Sequence, residues 1–166
     1  MSGDEDDVHM FLRPSTPRFL LGVAVLLALG VCLLYIAVFT APILGLRLFL
    51  GALGVGSLIV TVRMWAARNL ELELTRDVLR EAGGGRELAR VVSVVKVDRG
   101  PFAFKPPNGF LLRLEEKGSR VWVPGLWWRL GRWVGVGGVV NAGQSRAMAE
   151  LISDFAEAAR KERDET

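Results

Sequence analysis

The 166-residue chain has one histidine, one cysteine and one tyrosine. Nucleophilic catalysis by Ser or Cys needs a nearby base, and the sole imidazole, His9, lies in the leader while Cys32 lies inside a long apolar run. A metal centre needs clustered His, Cys or carboxylate ligands, and His9 has no His or Cys beside it, so it reads as a surface residue. One cysteine cannot form an internal disulfide, which fits a reducing compartment. Glycines at 131, 135, 137 and 138 form no strand-to-helix phosphate fingerprint, and no Lys-Ser or Lys-Thr closes a phosphate loop. Glu115 and Glu116 point to opposite sides of a strand and read as solvated charges rather than an acid/base pair. A non-enzymatic protein without cofactor or metal is therefore expected. The net charge of +3 does not call for nucleic acid as a partner.

Charge is also missing from two long stretches. Residues 19–39 carry none, and about 20 such residues in a helix cross a bilayer. Residues 48–62 are likewise uncharged and are extended by 43–46 and 64–67, with Arg47 and Arg63 able to snorkel. The pair Ala41-Pro42 marks the turn between them. A cleaved signal peptide has a basic leader and a shorter core, whereas this leader carries Asp4, Glu5, Asp6 and Asp7 and a second apolar run follows at once. A retained two-span hairpin over 18–67 is expected, embedded in a lipid bilayer. Ala52 and Gly56, four apart, form a small-xxx-small pair suited to packing on the first span, or alternatively on a partner. Arginines gather before the first span (Arg13, Arg18) and after the second (Arg63, Arg68, Arg76, Arg80), with only Arg47 near the turn. Both termini are thus expected in the cytoplasm, in a multi-pass protein of a bacterial inner membrane.

Residues 1–17 read as an acidic, largely disordered leader, with Met10, Phe11 and Leu12 available to a membrane surface. From Asn69 the pattern changes to short strands. Alternation over 71–74 signals a half-buried strand in ELELTRDVL, and Gly83-Gly84-Gly85 a turn into the valine-rich strand 88–97. Strands at 102–104, 110–114, 119–123 and 132–136 are separated by turns at Pro106-Pro107-Asn108-Gly109, Lys117-Gly118 and Pro124-Gly125. At Asn141 the period becomes helical, with Gln144 completing a capping-box-like pair. Met148, Leu151, Ile152, Phe155 and Ala159 then share one face opposite Glu150, Asp154 and Glu157. The expected architecture is a membrane α hairpin plus an α+β domain at 68–162, with a charged tail at 163–166. That domain is a small bent antiparallel sheet of six or seven strands capped by a C-terminal helix. Its core is expected to include Val121, Trp122, Leu151, Ile152 and Phe155.

The stretches LELTRDVL (72–79), KVDRG (96–100), NGFLLRL (108–114) and the closing helix together resemble the bacterial pleckstrin-homology-like membrane proteins, in which a helical hairpin precedes a bent, helix-capped sheet. The resemblance implies a binding or scaffolding domain rather than a catalyst, although fold alone does not fix function.

Four of the five tryptophans, Trp122, Trp127, Trp128 and Trp133, fall among Arg120, Arg129 and Arg132. Tryptophan with arginine suits a protein hot spot or a membrane interface. Trp122 and Trp133, in candidate strands, are expected inside. Trp127 and Trp128, beside a turn, cannot both point inward. Trp127, Trp128, Arg129 and Arg132 are therefore the candidate contact residues, either for another membrane protein or for anionic lipid headgroups. The leading expectation is a domain that scaffolds, assembles or stabilises a larger membrane complex, since the hairpin already supplies attachment to the bilayer.

Overall fold

The computed structural model describes residues 8–40, 43–98 and 106–165. They form two compact units, an α-helical hairpin from Thr16 to Arg68 and an α+β domain built from 8–15 together with 69–165. The Ala41-Pro42 turn and the expected strand at 102–104 lie outside the described residues.

The hairpin consists of α1 (Thr16–Phe39) and α2 (Leu44–Ala66), with mean hydropathies of 2.8 and 1.8, each long and apolar enough to cross a membrane. The helices meet where Gly30 faces Gly54. A Cβ on Gly54 would lie 3.1 Å from the Gly30 carbonyl oxygen and 2.8 Å from Leu34 Cγ, so only glycine permits this approach. Ser57 Oγ donates across the interface to the Leu26 carbonyl over 2.8 Å, and Thr61 Oγ1 donates to the Ser57 carbonyl over 2.9 Å. The contact face of α2 thus runs through Gly54, Ser57 and Thr61. Residues two positions away sit ~160° round a helix, which places Ala52 and Gly56 on the other side. Ala52 is exposed, and a Cβ on Gly56 would meet nothing within 4 Å, so this pair does not pack the two spans together as expected.

The domain has seven strands in two antiparallel sheets rather than one continuous sheet. The first has the order β1 (Met10–Leu12), β2 (Leu72–Leu74), β3 (Val78–Glu81), β4 (Glu87–Arg90), and the second β5 (Val94–Asp98), β6 (Phe110–Val123), β7 (Trp127–Val136). A single 3-10 turn at Val91–Ser93 carries the chain between them, so the valine-rich run supplies two strands to different sheets.

Three boundaries differ from expectation. ELELTRDVL is a hairpin, because Thr75 makes the turn itself: its Oγ1 accepts from the Val78 amide at 3.1 Å and its own amide donates to the Val78 carbonyl at 3.0 Å. Lys117-Gly118 is not a turn but the middle of the fourteen-residue β6. The missing side chain of Gly118 makes room for the Arg129 guanidinium, whose Cζ would stand 2.1 Å from a Cβ there. The leader, finally, belongs to the domain. Its residues 10–12 pair with β2 in the register Met10↔Leu74, Phe11↔Glu73, Leu12↔Leu72. Leu12 is fully buried, His9 packs against Phe155 in a tilted ring contact with centroids 5.1 Å apart, and Arg13 forms an ion pair with Glu71 at 3.0 Å. A three-residue apolar run beside a charged cluster carries too little periodicity to announce an edge strand; pairing with a distant partner makes it one.

The closing helix α3 (Ala142–Asp164) starts where the pattern changes, with Asn141 Oδ1 accepting from the amides of Gly143 (2.9 Å) and Gln144 (3.4 Å). It packs on the Val91–Ser93 turn, β5, β1 and β6. Met148, Ala149 and Ile152 are buried completely, and Leu151 and Phe155 pack on the same core.

Candidate functional site

The β6–β7 pair is the longest in the protein, and its register shifts twice, between Arg113 and Gly118 and between Gly118 and Val121. The first shift places three extra residues in β6 and the second one, and such irregularities bend the ribbon and exchange the side chains that face in and out. This exchange decides the fate of the tryptophans.

Val123 stands opposite Trp127, and Val121 opposite Arg129, and both valines pack on the core. Directly opposed residues share a face, so Trp127 and Arg129 point inward. Trp127 is 1% exposed and its Nε1 donates to Glu81 Oε1 over 3.0 Å. Arg129 Nη1 donates to the Leu88 carbonyl over 2.9 Å. Both tie β7 to the first sheet and face away from the exposed tryptophans, which corrects the expectation that Trp127 and Arg129 share one contact surface with Trp128 and Arg132.

The alternate positions face out. Trp122 lies opposite Trp128, and Trp133 opposite Arg113. Trp122 is 54% exposed and Trp133 40%, the reverse of their expected burial in the core. Leu130, two residues from Trp128 and hence on its side, is 53% exposed. The Trp128 ring is half-buried and lies over Gly135, where a Cβ would come within 2.4 Å of it. Gly135 shares its side of the strand with Trp133, so Trp122, Trp128, Leu130 and Trp133 form one outer surface on the curved ribbon. The guanidinium of Arg113 sits 5.7 Å from the Trp133 ring centroid, within cation–π range. Arg120, two residues before Trp122, and Arg132 are both exposed. An open apolar cleft of about 750 Å³ runs between Trp122 and Trp128 on one side and Pro106 and Pro107 on the other.

Of the four candidates from the sequence, Trp128 and Arg132 remain accessible, while Trp122, Leu130, Trp133 and Arg113 join them. The inversion lies where Gly118 pairs with Gly131 (φ 61°), a pairing that only the folded ribbon reveals; the two glycines by themselves are a weak sign of a bulge. Large rings exposed together normally mark a contact surface. This surface has the chemistry of an apolar anchor with a basic rim. No protein-family model, curated protein or solved structure matches the chain.

Proposed function

We propose that this is a non-enzymatic integral membrane protein whose α+β domain, a pleckstrin-homology-like module, assembles or stabilises a larger complex by docking another membrane protein. Its contact surface is the outer face of β6–β7. The observation that carries this reading is the joint exposure of Trp122, Leu130 and Trp133 on a ribbon whose neighbouring tryptophan, Trp127, is fully packed. Aromatic anchors rimmed by arginine are the composition of interface hot spots, and Arg113, Arg120 and Arg132 favour a partner surface that is apolar at its centre and acidic at its edge.

The apolar helices α1 and α2 support membrane spanning. In the hairpin Trp65 lies near Phe19, with ring centroids 6.1 Å apart, and beneath the Arg68 guanidinium at 5.0 Å, a grouping typical of a membrane–water boundary. That residues 8–15 and 69–165 fold as one unit supports a reading in which both flanks of the hairpin share one compartment. The arginines flanking it favour the cytoplasmic side of a bacterial inner membrane for that compartment.

A second reading, contact with anionic lipid headgroups, draws on the same Arg113, Arg120 and Arg132. Photo-crosslinking amino acids placed at Trp122 and Trp133 in native membranes separate the two. The proposal expects one discrete protein adduct, lost when Arg113→Glu and Arg120→Glu reverse the charge of the rim. Lipid adducts alone would favour the second reading, and the absence of either adduct would refute both.

A further inference from the structure

Among the described residues β5 pairs only with β6, which makes it an edge of the second sheet. The register passes over Val95, and this bulged residue is 41% exposed. Beyond the bulge the alternation is regular. Val97 lies opposite the buried Leu112 and packs on the core, while the exposed Lys96 lies opposite Arg113 on the outer side. Asp98, two residues on, shares the side of Lys96, whose Nζ reaches its carboxylate at 3.5 Å. The start of the edge is closed, because the Val94 carbonyl accepts from the Arg160 guanidinium of α3. From there a groove of about 210 Å³ runs between β5 and α3, where the helix offers the small side chains of Ser153 and Ala156.

An edge strand presents backbone N–H and C=O groups that a further strand can satisfy, and proteins guard such edges with bulges and lysines. β5 has both. A lysine deters a strand that sets a basic residue opposite it and favours one that sets a carboxylate there. β5 itself meets that condition. Antiparallel pairing of two copies centred on Val97 places Lys96 of each opposite Asp98 of the other on the outer side, and Val97 opposite Val97 on the core side. Centring on Lys96 instead would oppose two like charges. A slip of one residue would oppose Lys96 to Val97 and set the outer side of one strand against the core side of the other.

We propose that β5 is a self-association edge, which pairs with β5 of a second copy of this chain in the register centred on Val97. The charge pattern of residues 96–98 selects that partner over other strands, and the bulge at Val95 limits how far the pairing extends. So short a ladder is weak between freely diffusing molecules, but two copies held by their apolar helices in one bilayer meet at a high effective concentration. The edge lies on a different strand from the exposed tryptophans, so self-association leaves that surface open to its own partner.

Energy transfer between full-length chains carrying donor and acceptor fluorophores on C-terminal tags, reconstituted in liposomes and diluted with lipid, tests it. The parent chain should dimerise. Lys96→Asp sets carboxylate against carboxylate across the two-fold and Asp98→Lys sets ammonium against ammonium, so each alone should raise the dissociation constant by about tenfold or more. Mixing the two variants should restore association, because each chain then opposes the other with complementary charge. Neither chain's internal charges change on mixing, so the recovery reports contact between chains and not a repaired fold. Lys96→Asp combined with Asp98→Lys in one chain should dimerise like the parent, and Trp122→Ala should have no effect. A parent chain that stays monomeric overturns the proposal and leaves the edge to a strand of another protein. Single variants that associate like the parent, or a mixture no tighter than its components, also overturn it.

Discussion

Trp127 Nε1 donates to Glu81 Oε1 over 3.0 Å, joining the first residue of β7 to the last of β3 and so one sheet to the other. The bond satisfies the indole of the largest fully buried side chain in the domain and gives a half-buried carboxylate a partner. Trp127→Phe keeps most of the volume but strands that carboxylate, and should destabilise the domain by about 1–3 kcal/mol. Trp127→Ala should cost about 3–5 kcal/mol. Chemical denaturation of the detergent-purified chain followed by near-ultraviolet dichroism measures both, and an alanine variant as stable as the parent would contradict this placement.

The tryptophans also differ in access to solvent. Acrylamide should quench the emission of Trp122 and Trp133 readily and that of Trp127 poorly. Trp122→Phe and Trp133→Phe should therefore remove most of the quenchable intensity from the domain, at a stability change within about 0.5 kcal/mol for each. Preferential loss of the unquenched component would mean that the outer and inner faces of the ribbon have been interchanged.

How far these positions can be read from the sequence depends on the range of the interaction that sets them. The closing helix is legible because its determinants are local: Asn141 caps it, and Met148 and Ile152 recur at helical spacing. The two apolar helices are legible for the same reason. The exposure of Trp122 is not, because it follows from a register shift at Gly118 that exists only once β6 pairs with β7. Glu73 is similarly opaque. It alternates with leucines like any solvent-facing residue, yet it is buried against β3, where Arg80, directly opposite, neutralises it.

In the hairpin, Gly54→Val should drive the helices apart, since its first added carbon already collides with Leu34 and with the Gly30 carbonyl. Ala52→Val, on the opposite side, should leave the pair intact. Titration with SDS monitored by helix content should give an earlier transition for the Gly54 variant alone. Equal shifts for both substitutions would place the contact face elsewhere.

Leu12 is wholly buried although it precedes the first apolar helix. Leu12→Ala should cost about 2–5 kcal/mol of domain stability. A fragment beginning at Asn69 should be protease-sensitive, whereas the same fragment with residues 8–15 restored through a flexible linker should resist digestion. Equal resistance of the two fragments would show that β1 is dispensable.

The pairing of β1 with β2 also imposes a schedule on biogenesis. As the chain leaves the ribosome, Met10, Phe11 and Leu12 emerge before β2, which follows only after both apolar helices have been made. During that interval an unpaired apolar strand waits with no edge to join, the condition in which strands pair wrongly or aggregate. The domain therefore cannot close in the order in which it is synthesised: β1 is docked late, and its docking records that the whole intervening helical hairpin has been made.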